Sequence, residues 1–446
     1  MNRDAQWVAA AAGGRLTREA MAPAGPARAT IDSREAREGS LFVGLPGERA
    51  DGGAFAPEAL ARGAWGVVVS SGHAERASAA GSAAQAVIEV GRPLVALQSL
   101  ARAWRRELGA RVIGVTGSTG KTSTKDILAA LLAPRLRTHA SRENLNTEIG
   151  LPLTIVEAAD DREALVLEMA MRGEGQIGEL TAVAEPDAGV IVNVGPVHLE
   201  LLGTVERVAA AKAELIRDLR PGAACVVPAG EPRLNSHLRE DLETITFGPG
   251  GDVMLLGFDR AAGRGGTADI EARGERIELE LAYDEPHNLL NTLAAVAAAV
   301  AIGVKPGGPV DVQFSSMRGA VVELPGGVTV VNDCYNANPM SMRAALQHLA
   351  ETPADRRVAM LGTMAELGAG SGDFHRDIGE EADALGIDVL VTVGEGATGY
   401  TEGFAGETYA AATPEEAGAL LEEIAQPGDR VLVKGSRSVG LERVLS

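Results

Sequence analysis

The stretch Val112-Ile113-Gly114-Val115-Thr116-Gly117-Ser118-Thr119-Gly120-Lys121-Thr122-Ser123 constrains this chain more than any other. It opens on a short apolar run at 112–115 that reads as a buried strand. A glycine-rich turn follows, and then residues 121–132, where Ile127, Leu128, Leu131 and Leu132 recur at helical spacing. Strand, glycine-rich turn and helix in that order are the context a phosphate-binding loop needs. Glycines let backbone N–H groups close around phosphate oxygens, and the helix N-terminus adds a favourable dipole. Lys121 supplies charge for terminal phosphates, and the Thr122 hydroxyl can ligate magnesium. Val115 stands where the strict eight-residue pattern has its first glycine, and Gly117 does that work instead.

With 446 residues, about three domains are expected. Hydrophobic residues make up 46% and aromatics only 3%, so Ala, Val and Leu must fill the cores. Lys and Arg total 41 against 61 Asp and Glu, a net charge of −20. That balance argues against nucleic-acid or anionic-membrane binding, which needs a basic surface. An anionic substrate would need a local cluster of Arg, Lys or helix N-termini. Cys225 and Cys334 form neither a disulfide framework nor a metal-type spacing. The apolar run at 7–12 is too short to span a bilayer or to direct export. A cytoplasmic monomer with no membrane insertion is expected.

Three units follow from the pattern: 1–108, 109–308 and 309–446. In the first, 57–62 reads as a short helix, 66–70 and 87–90 as strands, and 94–108 as a helix with Leu97, Leu100, Ala101 and Trp104 on one face. Asp32-Ser33-Arg34 suits either a solvated turn or a nucleotide or sugar contact. In the second unit, the polar loop with Asn144, Asn146 and Thr147 is open to the same two readings. The strand 164–168 ends in Glu168, where parallel sheets place their ligands and where a residue could hold magnesium opposite Thr122. The strand within 187–194 runs directly into His198, which is either structural or a ligand. Lys212, on a helix at 204–217, is either partly buried or snorkelling. Residues 269–282 read as an antiparallel hairpin, His287-Asn288-Leu289-Leu290-Asn291 opens a long helix, and 303–309 reads as a Gly/Pro linker. In the third unit, alternating strands and helices surround Asp333-Cys334-Tyr335-Asn336-Ala337-Asn338-Pro339, a run at 362–368 and Lys434-Gly435-Ser436-Arg437.

In this order and at these intervals, Thr116 to Thr122, the 144–151 loop, Glu168-Met169, Asn193 with His198, Lys212, His287-Asn288 with Asn291, and the 333–339 run resemble the Mur ligase family, ATP-dependent amide-bond-forming enzymes of peptidoglycan precursor synthesis. The resemblance implies an α/β fold of three domains. These are a small N-terminal UDP-binding domain, a central P-loop ATPase domain with an added hairpin, and a C-terminal Rossmann-like domain. It implies ATP and magnesium as cofactors, with UDP-N-acetylmuramoyl-tripeptide and D-alanyl-D-alanine as substrates. Asp32, Ser33 and Arg34 would contact UDP, and Asn144, Asn146 and Thr147 the substrate. Thr116, Gly117, Ser118, Thr119, Gly120, Lys121, Thr122 and Ser123 would hold the ATP phosphates. Thr122 and Glu168 would hold one magnesium ion. His198 would ligate a second, supported by Lys212 as a carbamate, and Lys121, Glu168, His198 and Lys212 would carry catalysis. His287, Asn288 and Asn291 would lie at the adenine, Arg318 and Asp333 would reach ATP from the third domain, and Tyr335, Asn336, Asn338 and Pro339 would receive the dipeptide. The chain departs from the family pattern at Ala170, Gly53 and Met317-Arg318-Gly319. Two alternatives remain: a sister ligase adding a single amino acid, and a phosphate-loop ATPase or switch without ligase activity.

Overall fold

Apolar runs of four to six residues, rich in Val and Ile, pair into three sheets in this computed structural model. It describes residues 1–18, 25–142, 144–262, 265–315 and 320–445. The N-terminal sheet has five strands in the order Arg15–Arg18, Ala86–Val90, Gly66–Ser70, Ser40–Val43, Arg28–Thr30, and only its first pair is antiparallel. The C-terminal sheet has six strands, in the order Ala320–Leu324, Val328–Asn332, Asp429–Lys434, Arg356–Gly362, Val389–Val393, Glu407–Ala411, again antiparallel only at the first pair. The fold class is α/β, with helices packed against each sheet.

The central sheet has ten strands. Its parallel heart sets the strand Arg111–Thr116 between Ala164–Glu168 on one side and Ala188–Ile191 on the other. The last of these is shorter than the sequence suggests. Beyond Ile191, the Val192 N–H still bonds the Thr116 carbonyl, but Asn193 turns its side chain to the adjoining loop. The expected hairpin is a three-stranded antiparallel sheet, Val253–Arg260, Gly266–Ala272 and Glu275–Leu281, because 253–260 pairs with 266–272 without a strict alternation of its own. Gly274 makes its turn at φ +84°.

The expected linker at 303–309 is corrected. Gly308–Val310 pairs in parallel with Glu275–Leu281, so the stretch belongs to the central sheet. Its end at 308–310 is held by that ladder and its start by the Val300 and Ala299 carbonyls, which composition does not report. The chain then stays on the central unit as far as Ser315, whose N–H and hydroxyl both bond the Asp126 carboxylate at 3.0 Å. Phe314 stacks edge-on against Tyr283 at 5.3 Å between centroids. The change to the third sheet therefore falls after Ser315.

The junctions between the units differ. One continuous apolar cluster runs from Val8, Val68 and Ile88 of the first unit through Leu97, Leu100 and Trp104 to Leu151, Leu165 and Leu180 of the second. The third unit keeps separate clusters on the two faces of its own sheet. Trp104 sits at the weld. It is fully buried, its indole N–H donates to the Ala158 carbonyl at 2.9 Å, and Trp7 meets it edge-on at 6.1 Å. No helix among the described residues is long and apolar enough to cross a membrane.

Trp104→Ala empties this weld and orphans a carbonyl, so it should cost about 3–5 kcal/mol of unfolding free energy. Denaturant titration followed by circular dichroism measures this. A loss no larger than that of an exposed substitution would refute the shared core.

Candidate active site

Three adjacent parallel strands release their chains at the same edge of the central sheet, where such folds gather ligands. The strand Arg111–Thr116 leads into the glycine loop, and the helix Lys121–Leu132 follows. Gly120 takes the left-handed conformation at φ +72°, and a Cβ there would lie 2.5 Å from Oδ1 of Asn291. Only glycine meets both conditions. The loop is pinned by Asn193, whose Oδ1 accepts from the Ser118 and Thr119 N–H groups at 3.0 and 2.9 Å. Its Nδ2 donates back to the Thr119 hydroxyl at 3.0 Å. The Ser118 hydroxyl bridges to Gly195. Lys121 Nζ donates to the Gly117 carbonyl at 2.9 Å. The Thr116 hydroxyl is buried with no hydrogen-bond partner. Gly117 is buried beside it and Ser123 is half-buried in the first turn of the helix.

Glu168, at the end of Ala164–Glu168, is 2% exposed. Its Oε2 accepts from the Thr122 hydroxyl at 2.8 Å and its Oε1 from Asn146 Nδ2 at 2.9 Å. Its N–H bonds the Ser141 hydroxyl, and the Ser141 carbonyl takes the buried Lys125 ammonium at 2.7 Å. The Ala170 N–H bonds the Asn146 carbonyl. Carboxylate, hydroxyl and amide oxygen are hard donors, which fit a magnesium ion completed by phosphate oxygens and water. Among the described residues, no group of three or more His, Cys, Asp and Glu side chains could hold a metal by itself.

His198 follows the third strand at φ +54°, an uncommon conformation for a non-glycine residue. Its Nδ1 meets the carboxylate of Glu366, 168 positions later. Burial holds His198 below its ordinary pKa; Glu366 opposes this, and Lys212 and Lys121 add to the lowering. Lys212 is 2% exposed on the helix Val205–Asp218, and among the described residues no hydrogen bond or ion pair reaches its amine. Burial, and then Lys121, push its pKa well below 10.5. The side chain therefore does not snorkel, and burial favours its neutral form.

The third unit faces this edge at two places. Met340 packs on Gly195, where a Cβ would meet its sulfur at 1.9 Å. The Glu200 N–H donates to the Glu366 carbonyl at 3.1 Å. Asp333 is held by the buried Lys434 at 2.6 Å, and the same ammonium bonds the Asn336 carbonyl. Asn338 caps the helix Pro339–Glu351 through a reciprocal pair with Ser341, so its side-chain oxygen serves the fold. Pro339 occupies the first turn, Tyr335 is half-buried and Asn336 is exposed. Arg318 lies outside the described residues.

The remaining candidates are spread along the cleft. Asn291 lies against Gly120 and bonds Asn288 at 3.3 Å, so it supports the phosphate loop directly. His287 is exposed at the start of the helix Pro286–Ala301, within electrostatic reach of Asp333. Thr147 accepts the Gly150 N–H at the head of the helix Gly150–Glu157, and Asn144 is exposed. On the first unit, Arg34 closes on Asp32, which holds that carboxyl down at about 2, and Ser33 donates to Glu58 at 3.1 Å. Gly53 is met by the ring of His73, whose Nε2 lies 2.9 Å from Asp51, so an imidazole fills that place from another helix.

Residue-type reasoning assigned no role to Asn193, Lys125, Ser141, Glu366, Lys434 or Ser436. Asn193, Glu366, Lys434 and Ser436 lie within or beside the motifs at 187–198, 362–368 and 434–437, which is the signal the sequence offers for them. Lys125 and Ser141 gave none.

Family models match in tandem. The Mur ligase family catalytic domain covers residues 28–105, the Mur ligase middle domain 115–299, and the Mur ligase glutamate ligase domain 317–437. A UDP-N-acetylmuramoyl-tripeptide–D-alanyl-D-alanine ligase of Synechocystis sp. is 37% identical, covering 93% of this chain and 90% of the relative. The enzyme of that name from Bacillus subtilis is 34% identical, covering 93% and 91%. A crystal structure of MurF from Acinetobacter baumannii superposes with a TM-score of 0.85 at 27% identity, over 100% of this chain and 98% of that one. MurF ligase from Thermotoga maritima, in complex with ADP, gives 0.80 at 32% identity, over 94% and 96%. With a family model on each of its three sheets and relatives matched along nearly their whole length, this chain belongs to the Mur ligase family.

Proposed function

We propose that this chain is an ATP-dependent ligase that joins D-alanyl-D-alanine to UDP-N-acetylmuramoyl-tripeptide in peptidoglycan precursor synthesis. The observation that carries the reading is the convergence of the phosphate loop, Glu168, His198 and Lys212 on one sheet edge, faced by loops of the third sheet. The relatives named for this reaction support it.

In this reaction the tripeptide carboxylate takes the γ-phosphoryl group of ATP, giving an acyl phosphate and ADP. The dipeptide amine then attacks the acyl carbon, and phosphate leaves. Anion must meet anion, so charge neutralisation and positioning dominate. Lys121 and the loop 116–123 would receive the ATP phosphates, through the N–H groups that Asn193 does not take and with the Thr116 hydroxyl in reserve. Thr122 and Glu168 would hold one magnesium ion, and His198 with Lys212 a second; these ions would supply the charge that offsets the repulsion. The neutral Lys212 amine can add carbon dioxide, the new N–C bond forming as one amine proton leaves. The carbamate turns a buried, unpaired nitrogen into an anionic ligand. Asp32, Ser33 and Arg34 would take the UDP end, with Asn144, Asn146 and Thr147 along the peptide. His287, Asn288 and Asn291 would flank the adenine, with Arg318 and Asp333 opposite. Tyr335, Asn336, Asn338 and Pro339 would border the dipeptide. The first two units, joined by their apolar weld, would move as one against the third. The enzyme works as a cytoplasmic monomer on this reading.

Phosphate release should require ATP, UDP-tripeptide and D-alanyl-D-alanine together. Preference for a free amino acid would assign the chain to a sister ligase, and release without peptide or amine would make it an ATPase.

Gly120→Ala forces a Cβ onto Asn291 in a left-handed turn. ADP affinity should fall at least about tenfold by calorimetry, with about 1 kcal/mol or more of stability lost.

Lys212→Met should abolish ligation yet stabilise the fold by about 1 kcal/mol. The folded protein holds this proton less tightly than the unfolded chain does, so wild-type stability falls as pH drops from 10.5 towards the depressed value. In buffer stripped of carbon dioxide, the variant's thermal advantage should therefore be larger near neutral pH than at about pH 10. An advantage that grows with pH would contradict the buried neutral amine.

A further inference from the structure

Glu366 has no part in the mechanism above, yet its carboxylate reaches the middle of the cleft. We propose that Glu366 anchors the ammonium group of the acceptor dipeptide, an inference that rests on the ligase reading.

The loop that carries Glu366 leaves the strand Arg356–Gly362 and is held from three sides. The Ser436 N–H donates to the Thr363 carbonyl at 3.0 Å, and the Ala365 N–H to the Ser436 hydroxyl at 2.8 Å. The Met364 N–H donates to His375 Nε2 at 3.0 Å. Met364 and Leu367 are buried on either side. Glu366 itself sits at φ +62°, a conformation that a side chain of this size rarely adopts. A rigid mount and a strained backbone together present this one carboxylate across the unit boundary.

What it meets there is a set of N–H donors. Oε2 contacts His198 Nδ1, and Oε1 lies 3.8 Å from Nε of the exposed Arg172. His198 follows the strand Ala188–Ile191, which pairs with the strand leading into the glycine loop, so the carboxylate stands beside the phosphate end of the cleft. The acyl carbon must be formed there, within reach of the incoming nitrogen. Glu168 and Asp333 are engaged elsewhere, Glu168 by Thr122 and Asn146, and Asp333 by Lys434. Glu366 is 37% exposed and open to a soluble partner. A primary ammonium brings three N–H donors and a positive charge. It can replace Arg172, whose exposed and distant contact holds weakly. The Ser436 hydroxyl in turn donates to the Ala337 carbonyl at 3.4 Å, which ties this loop to the 333–338 turn proposed to border the dipeptide.

Glu366→Gln keeps the shape and removes the charge, and Glu366→Asp keeps the charge on a shorter arm. Steady-state ligation should show KM for D-alanyl-D-alanine raised about ten- to a hundredfold in Glu366→Gln and less in Glu366→Asp, with KM for ATP and UDP-tripeptide unchanged. Hydroxylamine, a small neutral nucleophile, should still trap acyl phosphate in Glu366→Gln given ATP and UDP-tripeptide alone. An unchanged dipeptide KM overturns the proposal, as does loss of trapping in the variant, which would place Glu366 in the first half-reaction. Failure to trap acyl phosphate in the wild type overturns the ligase reading and this inference with it.

Discussion

A carboxylate buried to 2% exposure is costly unless every oxygen is met, and the central unit is arranged to meet those of Glu168. Thr122 and Asn146 take its two oxygens from different directions, one from the helix after the glycine loop and one from the loop before Gly150–Glu157. Lys125 and Ser141 close the ring from behind. Three stretches of chain, at 122–125, 141–146 and 168, are tied together at this one residue. The parallel register of Arg111–Thr116 with Ala164–Glu168 makes this possible, because it brings the loop and the carboxylate to the same edge.

The joints divide the labour between the units. The first and second share a continuous core with a tryptophan at its centre, whereas the third touches them through a methionine on Gly195 and polar contacts at Glu366. Apolar area holds firmly and without direction; a few polar contacts can be exchanged for others. The first unit is thus rigid with the phosphate loop of the second, and the third is held by fewer, exchangeable contacts.

Much of this was legible from local pattern. The glycine loop, its flanking strand and helix, the strand ending in Glu168 and the helix bearing Lys212 all announce themselves within a dozen residues. Lys212 itself was ambiguous, because small neighbours suggest burial without saying what else is buried nearby. The contacts that complete the site were not legible, since they join residues far apart. Asn193 meets the loop 74 or 75 positions away, Lys434 meets Asp333 over 101, and His198 meets Glu366 over 168. Asn338 shows how one residue type carries two meanings: in a polar run an asparagine suggests a ligand, and ahead of Pro339 and Ser341 its side-chain oxygen also caps a helix. The Gly/Pro stretch at 303–309 misled for a related reason. Parallel pairing of Gly308–Val310 runs through backbone groups, which side-chain composition does not reveal.

The tether of Ser315 to Asp126 has a mechanical consequence. Asp126 lies four positions past Thr122 on the same helix, about one turn or 6 Å along its axis. The chain bound for the third sheet is thus moored beside the phosphate loop. A lever pivoted next to its load moves the load little and its far rim a great deal. Any swing of the third unit would turn close to this mooring and move its far rim most, and strain on the mooring would be felt first by the helix that begins at Lys121.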